Sequence, residues 1–297
     1  MYKLSTRFIF LLISGLTLFL NSCQKTSDLD IPSYISIDSI SVNVNTEQGT
    51  ASNKIVDAWV YAGNDLEGAF ELPASFPVLK SGMTRINIQP GIKLNGMAET
   101  RVPYPFYDTI SFNVSLNRQN EAQLGHITTR YKTNTKFGWL EDFEDPYLSL
   151  DTTARSSIKI SRVGEPSLVS SFPGEGNSYA GKISIPTDDD FFECISHESY
   201  TFSQTLPEEQ SYVFLELNYK SNCPLTVGLF IYGTELSQQP VLVVNASEKW
   251  NKIYINFTPT ISFNTDATKF RVYMSARKQE NEPAAEIFID NIKLLHF

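Results

Sequence analysis

The side chains of this 297-residue chain with most chemical potential are three histidines, three cysteines and two acidic runs. His126, His197 and His296 each stand alone, without the close spacing to a second ligand that a zinc site uses. His197 follows Cys194 and precedes Glu198, so a Cys–His pair is thinkable there, with a surface or strand histidine as the plainer reading. The run WLEDFEDP supplies Glu141, Asp142, Glu144 and Asp145. Paired carboxylates cleave glycosides when they flank a bond at about 5–9.5 Å. Carboxylates alternating along one extended segment point to opposite faces and make a poor dyad. Asp188, Asp189 and Asp190 lack the glycine and closing glutamate of an EF-hand loop and read as a solvated acidic loop. There is no Gly-x-Ser-x-Gly elbow, phosphate loop or dinucleotide fingerprint. The expectation is a non-catalytic protein with no catalytic residue to assign.

Charge narrows the partners. Lys and Arg number 24 against 33 Asp and Glu, a net charge of −9. A nucleic-acid binder needs a basic face, so nucleic acid is excluded as a partner. Electrostatic adhesion to an anionic membrane is disfavoured too, and the acidity serves solubility.

The elements that must position any site read as strands. Twenty Phe and fourteen Tyr against four Met suit β-sheet cores. In YISIDSISVNVN, Ile35 and Ile37 share one parity while Ile40, Val42 and Val44 share the other. A strand that keeps its face must keep its parity, so Asp38-Ser39 marks a bulge or a bend between sheets. KIVDAWVYAGNDLEGAFELP reads as two strands around Gly63-Asn64-Asp65. TRINIQPGIK puts Ile86 and Ile88 on one face and ends at Pro90-Gly91. DTISFNVSL alternates cleanly, and HITTRYK closes the set. Residues 34–134 are expected to form an immunoglobulin- or transthyretin-like β-sandwich. The polar stretch 132–138 is a domain boundary. A second all-β domain, 137–297, follows through NSYAGKISIP, SYVFLELNYKSNCPLTVGLFIYG, KWNKIYINFTP, KFRVYMSAR and EIFIDNIKLLHF.

The N-terminus addresses the chain. Lys3 and Arg7 precede the apolar run Phe8–Leu20, which spans about 20 Å as a helix, too short for a bilayer core of about 30 Å. This is the form of a secretory signal. Leu20-Asn21-Ser22-Cys23 resembles the bacterial lipobox, which implies cleavage after residue 22 and acylation of Cys23. Two or more acyl chains hold a protein stably on a lipid bilayer. Gln24 rather than Asp follows the cysteine, which by the same resemblance implies the outer membrane, at the cell surface or the periplasmic face. Residues 23–33 read as a lipidated cysteine and tether. The mature chain loses Lys3 and Arg7 and carries a net charge of −11.

The second domain resembles the galactose-binding-like jelly roll of many carbohydrate-binding modules. The resemblance rests on Phe143-Glu144 at its start, Ser178–Lys182, Trp250 opening a strand, and Ile289-Asp290-Asn291-Ile292 at its end. It implies one structural Ca²⁺ where first and last strands meet, held by Glu144 and Asp290; hard oxygen ligands suit that ion. The alternative is two ordinary strand-end carboxylates. The whole chain also resembles a widespread type of uncharacterised outer-membrane lipoprotein of Bacteroidota. Asp38-Ser39-Ile40, Asp108-Thr109-Ile110 and Asp151-Thr152-Thr153 resemble the O-glycosylation sequon of that group, in keeping with export.

Two further expectations concern contacts. Tyr104, Phe106 and Tyr107 sit between prolines and are the candidate loop surface for a ligand or partner; Trp59, Trp139 and Trp250 lie in strand contexts and read as core. Cys194 and Cys223 either pair as a disulfide, which an oxidising compartment permits, or stay as buried thiols. Two functions compete. The favoured one is a non-catalytic binding or scaffolding lipoprotein, an accessory subunit of an outer-membrane protein assembly. The other is a lipoprotein that captures glycans through the C-terminal jelly roll.

Overall fold

A computed structural model describes residues 31–173, 175–202, 211–278, 280 and 282–297. The signal segment, Cys23 and most of the tether lie outside the described residues. The chain is all-β, as the alternating apolar pattern requires. The first group of strands is β1 (Ser33–Asn43), β2 (Asp57–Ala62), β3 (Asp65–Glu71), β4 (Ala74–Val78), β5 (Gly82–Lys93), β6 (Arg101–Pro103), β7 (Ile110–Leu116) and β8 (Glu121–Arg130). One sheet runs β4-β1-β8 and the other β3-β2-β5, with β6 and β7 both on β5. Their facing side chains, among them Ile35, Ile37, Val60, Phe76, Ile86, Ile88 and Leu116, make one core.

β1 and β8 run parallel, from Tyr34 beside Glu121 to Asn43 beside Arg130. The expected bulge is present: the register slips on either side of Ile37, opposite Gly125. Gly125 holds a φ of +65°, which glycine adopts without strain. The turn at Gly63 also forms as read, with a φ of +67°. The expected strand end at Pro90-Gly91 does not. β5 continues through both residues to Lys93. A Cβ at Gly91 would lie 2.8 Å from Cβ of Asp57 and 2.9 Å from Cδ1 of Trp59, so the glycine admits a neighbouring strand rather than a turn.

The two ends of this sandwich differ in structure. Chain entry at Ser33 and the turns at 63–64, 79–81 and 117–120 gather at one end. Ser33 Oγ donates to Lys80 O, Lys80 Nζ to Ala62 O, and Gln119 N to Pro32 O. β1, β5 and β8 all run from that end to the other, about 35 Å away for an eleven-residue strand.

The second group starts with β9 (Lys136–Glu141), β10 (Leu150–Thr152), β11 (Ser161–Val163), β12 (Ala180–Ile185) and β13 (Phe191–Ser196). It continues with β14 (Val213–Ser221), β15 (Leu225–Tyr232), β16 (Leu236–Val244), β17 (Ser247–Asn256), β18 (Lys269–Arg277) and β19 (Ala285–His296). A short helix, α1 (Thr258–Phe263), follows β17. One sheet runs β10-β13-β18-β15-β16; the other runs β11-β12-β19-β14-β17 with β9 on β19. Ile183, Leu215, Leu217, Leu229, Met274, Ile287 and Ile289 belong to the core between them. β14 and β19 are buried along nearly their whole length on both faces. Their inner faces meet this core; their outer faces meet the first sandwich around Phe214 and Leu295 and the 170–177 segment around Asn218 and Asp290.

Close packing between β15 and β16 depends on Gly228. A Cβ there would lie 2.3 Å from the backbone oxygen of Gln239 and 2.6 Å from the Tyr273 ring. Overpacking of this kind costs about 1–3 kcal/mol. Gly228→Ala is therefore expected to lower Tm by roughly 5 °C. An unchanged melting curve would show that β16 moves aside freely.

Candidate functional site at the junction of the two sandwiches

Alternation along β14 sends Leu215 and Leu217 inward and Phe214, Glu216 and Asn218 outward. β17 presents Lys252 and Tyr254 on the same outer face, and β19 presents Lys293 and Leu295. In an isolated domain these charges would face water. Here the far end of the first sandwich covers them. Val42, Ile92, Tyr104, Phe106, Tyr107 and Tyr131 pack with Phe214, Tyr254 and Leu295 in one cluster. The Tyr104 ring lies 4.8 Å from that of Tyr254 and 5.6 Å from that of Phe214.

This corrects the reading of Tyr104, Phe106 and Tyr107 as an open contact surface. They are 2 %, 0 % and 2 % exposed. After β6 the chain turns back, Tyr107 N donating to Tyr104 O at 3.2 Å, and the rings plug the other domain instead of solvent. The outward charges Glu216, Lys252 and Lys293, set in otherwise apolar strands, were the available sign that a second body covers that face.

Several polar groups inside the seam pair with each other, while the buried Tyr107 hydroxyl has no hydrogen-bond partner among the described residues. Tyr104 and Tyr131 hydroxyls each donate to Glu216 Oε1 at 2.9 Å. Lys252 Nζ lies 2.8 Å from Glu216 Oε2, both side chains wholly buried. Lys252 also donates to Ser52 Oγ, and Lys293 Nζ donates to Thr50 O at 2.5 Å. Burial works against the Glu216 carboxylate, but Lys252 and Lys293, with the Tyr104 hydroxyl, hold it below the usual range. Burial pushes the Lys293 ammonium down to about 7, against the pull of Glu216 and Glu175 and with the push of Lys252.

Beside this seam lies a cleft of about 270 Å³ whose walls come from both sandwiches. Backbone contacts fix it. Lys54 N donates to Tyr254 OH and Asn95 N to Tyr254 O, each at 2.9 Å, while Asn256 N donates to Asn95 Oδ1. Lys54 Nζ donates to Asn251 Oδ1, whose amide nitrogen donates to Tyr219 OH at 2.9 Å. No Asp or Glu lines the cleft. Burial and neighbouring Lys93 lower the Lys54 pKa. Among the described residues neither Lys54 nor Lys93 makes an ion pair. A second hollow, about 360 Å³, adjoins the start of β17 and is walled by Phe172, Pro173, Lys220, Glu248, Lys249 and Trp250. The buried Trp250 Nε1 has no hydrogen-bond acceptor. The first half of β17 is thus flanked by an amide- and ammonium-rich cleft and by an aromatic wall. Such groups suit binding through hydrogen bonds and ring stacking. Lys54, Lys93, Asn95 and Asn251 went unread in the sequence because they meet only in the folded junction.

Glu144 and Asp290 do come into one acidic neighbourhood. Asp290 Oδ2 accepts from Asn177 Nδ2 at 2.9 Å and its Oδ1 from Asn291 N at 2.7 Å. Glu144 Oε1 accepts from Ser178 N and Tyr179 N. Burial, with Glu175, Asp142 and Glu144 nearby, pushes the Asp290 carboxyl up to about 9. The oxygen chemistry suits a hard cation, but among the described residues no three acidic, His or Cys side chains stand as a ready cage.

The disulfide does not form: Cys194 and Cys223 are buried free thiols. Cys194 sits in β13 opposite Met274, and Cys223 lies in the β14–β15 turn against Ser221 Oγ. Burial pushes the Cys194 thiol up to about 12, which removes its thiolate from neutral chemistry. His197 turns to Asp151, 3.0 Å away, and makes no pair with Cys194. Trp139 is core, while Trp59 and Trp250 are only half-buried.

No protein-family model matches the chain, and no curated protein matches it. Solved structures do. The family 11 carbohydrate-binding module of cellulosomal cellulase Lic26A-Cel5E of Clostridium thermocellum is 13% identical, covers 56% of this chain and 96% of its own, with a TM-score of 0.36. A family 29 module complexed with mannohexaose is 11% identical over 55% of this chain and 92% of its own, at a TM-score of 0.33. TmCBM61, in complex with beta-1,4-galactotriose, is 14% identical over 50% and 87%, at 0.29. At these scores the likeness carries no functional inference.

Lys293 gives a testable pH dependence. Below pH ~7 native and unfolded chains both hold its proton; between ~7 and 10.5 only the unfolded chain does, so this residue adds stability as pH rises. Lys293→Met should lose that contribution. Relative to wild type, its denaturant-derived stability should fall by up to about 1.4 kcal/mol per pH unit between pH 7 and 9.5. Parallel profiles for the two proteins would place the lysine in water.

Proposed function

We propose that the chain is a non-catalytic binding protein that displays a carbohydrate site at the junction of its two sandwiches, along the first half of β17. The observation that carries this reading is the pairing of the Lys54–Lys93–Asn95–Asn251 cleft with the aromatic hollow at Trp250. Amide and ammonium groups donate to sugar hydroxyls and ring oxygens, and an indole face stacks on a pyranose. Anchoring through Cys23 to the outer membrane belongs to the same proposal, as does the division into an N-terminal β-sandwich, 34–134, and a C-terminal jelly roll, 137–297, with the cleft between them. The accessory-subunit reading is supported by the rigid seam, which would hold a partner surface in fixed orientation. Binding of the purified chain to a panel of neutral and acidic oligosaccharides separates the two. Trp250→Ala and Lys54→Ala/Lys93→Ala are each expected to weaken capture by tenfold or more, about 1.4 kcal/mol. No retained glycan, with a membrane protein co-purifying in fixed ratio, would favour the accessory role.

A structural Ca²⁺ at Glu144 and Asp290 is the second element proposed. It is supported by the crowding of Asp290 with Glu175, Asp142 and Glu144, which a cation would relieve. Bound only by the native chain, the ion would raise Tm by mass action. Chelator should lower Tm and calcium restore it in the parent but not in Asp290→Asn. A Tm indifferent to both rejects the site.

A further inference from the structure

Four large apolar side chains are exposed around one end of the first sandwich: Tyr34 at 39 %, Leu66 at 52 %, Leu79 at 68 % and Met83 at 74 %. They sit on or beside the chain entry and the turns that gather there. Leu66 follows the β2–β3 turn; Leu79 and Met83 bracket the β4–β5 turn; Tyr34 N is bonded to Asn120 O of the β7–β8 turn. Lys80 ties these pieces together by donating to Ala62 O and Asp65, so the apolar residues are held on a fixed frame.

The same end receives the chain from the N-terminus. Nine residues lie between Cys23 and Ser33, a tether of at most about 35 Å when extended. The junction cleft lies at the other end of the first sandwich, about 35 Å beyond. An acyl chain at Cys23 would bring this tip, where the described chain begins, nearest to the bilayer surface.

We infer that the tip formed by Tyr34, Leu66, Leu79 and Met83 docks into the lipid interface and stands the protein upright on the membrane. The occupant is the bilayer to which the tether leads, and the inference rests on the proposed acylation of Cys23. Side chains of this kind partition into the headgroup–acyl boundary without a charge requirement, in keeping with an acidic protein.

The test uses the full lipidated chain in phosphatidylethanolamine–phosphatidylglycerol vesicles, with a polarity-sensitive dye at Ser81→Cys or, as control, at Phe263→Cys. Cys194 and Cys223 are buried and stay unlabelled, and the Cys23 thiol carries the lipid. Docking predicts a blue-shifted Ser81→Cys dye, quenched by aqueous iodide at least about threefold more slowly than the control, with little effect of salt. Adding Leu66→Ser, Leu79→Ser and Met83→Ser should bring its quenching to the control rate while the protein still floats with the vesicles. Equal quenching at both positions in floating protein overturns the docking but leaves the acylation intact. Protein that fails to float overturns both. A blue shift that appears without lipid and grows with protein concentration assigns the tip to a second copy and overturns the proposal.

Discussion

The structure depends on one buried ion pair. Glu216 and Lys252 meet at 2.8 Å with no solvent contact. Removing two charges from water is costly, and their attraction compensates only when the remaining oxygen and nitrogen sites are also filled. Those sites are filled from the other domain. Tyr104 and Tyr131 donate to the carboxylate, and Ser52 accepts from the ammonium. Rotating one sandwich against the other would strip these partners while the charges stayed largely enclosed. The ion pair thus acts as a key to relative orientation, with the surrounding rings supplying the apolar area.

The junction cleft inherits that rigidity. Tyr254 sits in the seam through its ring, accepts from Lys54 N through its hydroxyl and from Asn95 N through its carbonyl. One residue therefore links the packed interface to both walls of the cleft. A cleft assembled this way would need little ordering to take a ligand, and preorganisation is where much of the affinity of polar sites originates.

Much of the scaffold was legible in the chain. The parity break in β1 located its bulge, and Gly63 its turn, because both follow from local backbone geometry. Pro90-Gly91 misled because the same dipeptide that closes a turn also admits a strand pressed against Asp57 and Trp59. Tyr104, Phe106 and Tyr107 misled for a different reason. Flanking prolines report a loop, and only the second domain decides whether a loop faces water. Lys54 and Asn251, 197 positions apart in sequence and joined by a hydrogen bond, carry no local signal at all. Cys194 and Cys223 show the limit from the other side: composition permits a bridge, but the positions of β13 and the β14–β15 turn decide it.

The parallel pairing of β1 with β8 has a mechanical consequence. The chain enters at the tip through β1 and leaves at the junction through β8, and the two strands are hydrogen-bonded from Tyr34 to Asn43. Tension between a tethered N-terminus and cargo held on the C-terminal domain would pull these strands in opposite directions along their length. The whole ladder is then loaded at once in shear, rather than opened one bond at a time as in unzipping. The first sandwich is wired to resist pulling along the axis on which a tether and a load would act.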